Sequence, residues 1–203
     1  MSLAEVFGWA ASVLTTLFAW PQAIRALRAT STDGISLASV TLMFQSGLLW
    51  TAYGVLVASP FIAVANASVV AAALATGVAC RSRSSFVATT LMVLVPVLVM
   101  LIAAATGSFV TGLLGGLAAA VMTLPQAVVA LRGRTRVSLS AVSPTTYLLL
   151  ATNAACWIAY GIATADPLVV APNCVTLPAA LLILARRRVA STQMLEKVGR
   201  EPG

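Results

Sequence analysis

The sequence predicts an all-α integral membrane protein of seven transmembrane helices, built as two parallel three-helix bundles joined by one linker helix. Three observations predict it: hydropathy, the placement of the arginines, and an internal repeat. Of 203 residues, 60% are hydrophobic and 8% charged, and the mean hydropathy is +1.00. A soluble domain does not have this composition. A helix needs about 20 apolar residues to cross roughly 30 Å of hydrocarbon. Seven runs qualify, at about 5–27, 36–57, 60–80, 86–106, 109–131, 142–164 and 168–185. Little chain is left over for a soluble domain, so the expected function lies within the bilayer.

The net charge of +7 invites a nucleic-acid reading, and its distribution argues against one. The twelve basic residues are Arg25, Arg28, Arg81, Arg83, Arg132, Arg134, Arg136, Arg186, Arg187, Arg188, Lys197 and Arg200. With seven spans, all of them fall on one side of the membrane, and Glu5 and Asp166 fall on the other. That asymmetry is the positive-inside pattern. It predicts a multi-pass protein of the cell (plasma or inner) membrane, N-terminus outside and C-terminus in the cytoplasm. Met1–Glu5 lacks a basic n-region, which argues against a cleavable signal.

The repeat sets the order of the elements. In the first span, Trp20-Pro21-Gln22-Ala23-Ile24-Arg25-Ala26-Leu27-Arg28 returns in the fifth as Leu124-Pro125-Gln126-Ala127-Val128-Val129-Ala130-Leu131-Arg132, an offset of 104. In the second span, Trp50-Thr51-Ala52-Tyr53-Gly54 returns in the sixth as Trp157-Ile158-Ala159-Tyr160-Gly161, an offset of 107. In the third, Pro60 and Asn66 return in the seventh as Pro167 and Asn173. The change of offset falls in a loop, where insertion costs little. Both copies carry their arginines just after the first span, so both point the same way. Three crossings leave the chain on the wrong side to start a parallel copy. Phe86–Thr106 belongs to neither repeat and is long enough to be the missing crossing. The predicted division is therefore 1–80 and 108–188 for the two bundles, 81–107 for the linker helix, and 189–203 for a polar, disordered tail.

Each Trp lies nine residues before its turn (Ser59 or Asp166), and each Asn six residues after the turn proline. At 1.5 Å per residue, the Trp is roughly 14 Å and the Asn roughly 9 Å from that turn. An Asn at that depth must find a partner or face a cavity. Trp offers a π-face suited to the C–H face of a pyranose, and Asn pairs a donor with an acceptor. Trp50, Asn66, Trp157 and Asn173 are therefore candidate substrate-binding residues. The repeat partners Ser46 and Asn153, one turn before each Trp, join them. An interfacial belt for the tryptophans and inter-helix hydrogen bonding for the asparagines stand as alternatives. Pro21 and Pro125 free the carbonyls of Leu17 and Val121, and Gln22 and Gln126 could supply the missing donor. These are hinges or static kinks. Tyr53 and Tyr160 either close the outer end or simply pack there. Gly112 and Gly116 form a GxxxG pair, read as close helix packing.

Taken together, the duplicated Pro-Gln unit, WxxYG and the following Asn resemble the PQ-loop superfamily, and within it the SWEET and SemiSWEET sugar transporters. The resemblance spans roughly residues 4–185. It implies parallel repeats about an axis along the membrane normal, a sugar pocket at the Trp and Asn positions, and hinges at the Pro-Gln prolines. It further implies an inner gate involving Pro144, whose first-repeat counterpart is Leu37, so that a four-proline gate is incomplete here.

Absences narrow the mechanism. No Asp, Glu, Lys, Arg or His lies mid-span, where proton-coupled carriers and ion paths need one. The sequence has no His, and Cys80, Cys156 and Cys174 have no CxxC spacing, so no metal or cofactor is expected. No nucleophile–base set suggests an enzyme. The expectation is a facilitator of mono- or disaccharide diffusion by alternating access, with the bilayer and an uncharged sugar as partners, no nucleic acid, and homo-oligomerisation left open. The alternatives are a PQ-loop transporter of another small solute, such as amino acids, or a non-transport seven-helix receptor.

Overall fold

The computed structural model describes residues 1–33, 35–81, 85–132 and 144–198, with backbone alone at 86, 122–132, 144 and 186–198. Seven α-helices account for nearly all of them: α1 (Leu3–Arg28), α2 (Leu37–Leu56), α3 (Pro60–Ala79), α4 (Phe86–Thr106), α5 (Ser108–Arg132), α6 (Pro144–Ala163) and α7 (Pro167–Val198). The protein is a multi-pass membrane protein. Five helices among the described residues are long and apolar enough to cross a bilayer by length and composition. α2 falls short because it carries Ser39, Thr41, Gln45, Ser46 and Thr51; several of these prove to face the interior. The expected disorder from residue 189 is not found as far as Val198, because α7 continues as helix to that residue.

Side-chain caps fix the starts of four helices. Ser2 and Glu5 form a reciprocal capping box on α1, and Ser36, Ser59 and Ser85 cap α2, α3 and α4 through their hydroxyls. α4 and α5 are joined through Gly107, whose φ of 112° is open only to glycine.

The α2–α3 and α6–α7 turns are copies of each other. Ser59 N–H donates to the Gly54 carbonyl at 2.8 Å and Asp166 N–H to the Gly161 carbonyl at 2.7 Å, closing Schellman-type ends. The residue before each sits in the left-handed region: Ala58 and Ala165, both at φ 53°. An L side chain there costs about 1–2 kcal/mol. Ala58→Gly or Ala165→Gly is therefore expected to raise stability by roughly 0.5–1 kcal/mol after the extra chain entropy of glycine. The thermal unfolding midpoint in detergent checks this, and an unchanged or lower midpoint would contradict it. Gly54 and Gly161 have a different task. A Cβ on Gly54 would strike the backbone of Ala63, and one on Gly161 would lie 2.7 Å from Val170, so both glycines let consecutive helices cross closely.

Six helices form a ring in which each packs on the next: α1, α3, α2, α5, α7, α6, and back to α1. α4 lies outside it, against α2 and α5. The halves thus meet twice, at α1–α6 and at α2–α5. Gly112 supports the second seam, since a Cβ there would lie 2.8 Å from the Tyr53 ring. A Cβ on Gly116 would meet Pro172 of α7 only at an ordinary contact distance of 3.6 Å, so the close packing expected of the GxxxG pair is found at Gly112 alone.

Candidate solute-binding site

The ring encloses a cavity of about 720 Å³ lined by α1, α2, α3, α5, α6 and α7. One end lies under the two turns. The lining runs from Trp50 and Trp157 past Asn66 and Asn173 to Gln22, Ser39, Thr146 and Ile183, toward the arginine-bearing end. None of the described lining residues is charged.

The turn end is closed by hydrogen bonds between the halves. Tyr53 donates its hydroxyl to the Asp166 carboxylate at 2.8 Å. Tyr160 and Ser59 hydroxyls lie 2.7 Å apart. These contacts are repeat-related, because Tyr53 and Tyr160, and Ser59 and Asp166, are partners at offset 107. Asp166 also accepts from the backbone N–H of Leu168 and Val169 at 3.1 and 3.3 Å, which caps α7 and fixes the carboxylate in place. Beneath the tyrosines, Trp50 stacks edge-on against Tyr53 with centroids 5.4 Å apart, and Trp157 against Tyr160 at 5.6 Å. Trp50 is 9% exposed and Trp157 7%, so neither forms a lipid-facing belt. Trp9, 58% exposed, faces outward instead.

Both asparagines bond within their own helix rather than to a neighbour. Asn66 Nδ2 donates to the Ile62 carbonyl at 2.9 Å, and Asn173 Nδ2 to the Val169 carbonyl at 2.8 Å. A carbonyl only accepts, so the atom facing it must be the amide nitrogen. The Oδ1 atoms accept no hydrogen bond among the described residues, yet no unpartnered polar side-chain atom there is sealed from solvent. Each Asn therefore offers an acceptor to the cavity.

Residues 3–63 match the family model described as PQ loop repeat. No curated protein matches the sequence significantly. Among solved structures, a eukaryotic SWEET transporter determined at 3.7 Å superposes with a TM-score of 0.75 at 18% identity, covering 94% of this chain and all of that one. The fold is that of a SWEET transporter. The PQ-loop and SWEET resemblance read from the sequence is thereby borne out.

Within the SWEET fold, all six sequence-predicted binding residues (Ser46, Trp50, Asn66, Asn153, Trp157 and Asn173) line the one cavity. Pro21 is exposed on a continuous α1. Gln22 lines the cavity, and no hydrogen bond from it to the Leu17 carbonyl is found among the described residues. The side chains of Pro125, Gln126 and Pro144 lie outside the described residues. Sequence reasoning missed Thr15 and used Asp166 and Ser59 only as markers of turns. Thr15 joins Trp157 and Asn153, receiving from Trp157 Nε1 at 3.1 Å and donating to Asn153 Oδ1 at 3.1 Å. Comparing the two turns as repeat partners was the available signal for Asp166.

Proposed function

We propose that this protein facilitates the diffusion of small uncharged sugars across the membrane by alternating access through the Trp/Asn cavity. The observation that carries the reading is the pair of Asn Oδ1 acceptors beside two buried tryptophans in an uncharged cavity. Solute hydroxyls can donate to both oxygens while a ring face stacks on an indole. No cation is found among the described lining residues to neutralise a carboxylate, which disfavours amino acids and other anions. The cavity volume of about 720 Å³ leaves room for a monosaccharide and ordered water. The solved SWEET transporter of the same fold adds support from likeness.

Alternating access then requires the turn end to open as the arginine-bearing end closes. Pro21 and Pro125 are the proposed hinges, because each removes one backbone hydrogen bond from a helix at the seam between halves. Pro144 and the tyrosines are proposed to gate the two ends. The N-terminus is proposed to lie outside and the C-terminus in the cytoplasm, from the arginine placement.

Counterflow in proteoliposomes across a panel of neutral sugars, polyols and amino acids tests the reading. Exchange confined to sugars and related polyols is expected. Exchange of amino acids with no sugar active would overturn it. A protease-sensitive tag on each terminus in intact cells checks the orientation: the N-terminal tag should be cleaved and the C-terminal tag protected.

A further inference from the structure

We infer that Thr15 is a positioning residue that makes the two halves of the cavity chemically inequivalent, so that the solute binds in one orientation across the pseudo-two-fold axis. For its consequence in transport, this inference rests on the sugar-carrier reading. An indole N–H can only donate. Trp157 Nε1 donates to Thr15 Oγ1 at 3.1 Å, which leaves the Thr15 proton for its other neighbour, Asn153 Oδ1, also at 3.1 Å. The first step can run only from Trp157 to Thr15, and the Asn153 amide is oriented with Oδ1 toward Thr15, so the chain runs from Trp157 to Thr15 to Asn153. Thr15 is 8% exposed and sits at the α1–α6 seam. The chain locks the rotation of the Trp157 ring, and it turns the Asn153 amide so that its nitrogen, a donor, is left for the solute.

The other half cannot repeat this arrangement. At the repeat offsets, Trp157 corresponds to Trp50, Asn153 to Ser46, and Thr15 to Ala119, which has no hydroxyl. Trp50 lies instead with Nε1 3.1 Å from where a Cβ on Gly115 would stand. Its Nε1 has no hydrogen-bond partner among the described residues and is not sealed from solvent. One tryptophan therefore spends its N–H on a side chain of the other half, and the other has an N–H with no such partner among the described residues. The acceptors Asn66 and Asn173 are symmetric, whereas the donors are not.

Indole N–H exchange tests the arrangement without any substrate. The protein is labelled with ¹⁵N-tryptophan in detergent, and its four Trp signals are assigned by single Trp→Phe variants. Trp157 N–H should exchange at least about tenfold more slowly than Trp50 N–H. Thr15→Val, which keeps the shape and removes the hydroxyl, should abolish that protection, and Thr15→Ser should restore it. In sugar uptake, Thr15→Val should raise KM roughly tenfold while kcat stays within about twofold, with Thr15→Ser returning KM toward the wild-type value. Equal exchange of Trp50 and Trp157 in the wild-type protein would overturn the inference, as would a Thr15→Val protein with unchanged exchange and unchanged KM. Protection of Trp157 in a protein that moves no sugar would instead retain the Thr15 arrangement and refute the sugar reading.

Discussion

Replacing Asn66 or Asn173 by Ala is expected to raise the half-saturating sugar concentration by about tenfold or more, and replacing both to reduce uptake to background. Each substitution removes an acceptor aimed into the cavity, and a solute hydroxyl left without a partner in a desolvated site costs about 1–3 kcal/mol, or roughly ten- to a hundredfold in affinity. The fold should tolerate the change. Each side chain bonds only to a carbonyl of its own helix, four residues back, among the described residues, and that carbonyl retains its place in the helix. Expression and gel-filtration behaviour should therefore match the wild type. Initial uptake rates over a range of sugar concentrations read the effect. A double variant with wild-type kinetics would place the site elsewhere.

The second large effect is expected at the turn end. Asp166→Asn keeps an oxygen to cap α7 but turns the Tyr53 contact from a charged hydrogen bond into a neutral one. Charged bonds are worth about 1.5–3 kcal/mol and neutral ones about 0.5–1.5. The population open at that end should rise several-fold to tenfold. Labelling of Ser46→Cys, in a background without Cys80, Cys156 and Cys174, reports on this. A membrane-impermeant thiol reagent added from the face carrying the turns should react correspondingly faster. Tyr53→Phe, which removes the donor, should act in the same direction. Unchanged labelling in both variants would show that the Tyr53–Asp166 contact does not hold that end closed.

Much of the architecture was legible because it rests on one-dimensional quantities. Span length, arginine placement and a twice-repeated motif fix helix number and relative direction without any packing detail. The lining residues were legible for a related reason: Trp50 with Asn66, and Trp157 with Asn173, sit at fixed distances from a turn, so helix rise alone sets their depth. Contacts that depend on which helices become neighbours were not legible. Thr15 has the look of any threonine in an apolar helix, where the hydroxyl usually bonds back to its own backbone, as Thr16 does to the Ser12 carbonyl at 3.0 Å. Only the packing of α1 on α6 brings it between Trp157 and Asn153. Its repeat partner is Ala119, so the repeat that marked the other lining residues passes over it. Asp166 was obscured in the same way, with Ser59 as its partner.

The repeat also explains why one chain can hold a two-sided site. Related turns, glycine crossings and asparagines supply a nearly symmetric frame. The substitutions that break the symmetry, Thr15 for Ala119, Asn153 for Ser46 and Asp166 for Ser59, fall at the cavity and at its closed end rather than in the frame. A duplicated unit can diverge at such positions without disturbing the packing that positions them.

The central claim is passive carriage of a neutral sugar, and uptake of labelled monosaccharide into proteoliposomes of the purified protein tests it most directly. The account predicts saturable uptake that stops when the inside and outside concentrations are equal, at the same rate with or without a pH gradient. No uptake of any sugar, accumulation above the external concentration, or strict dependence on the gradient would contradict it.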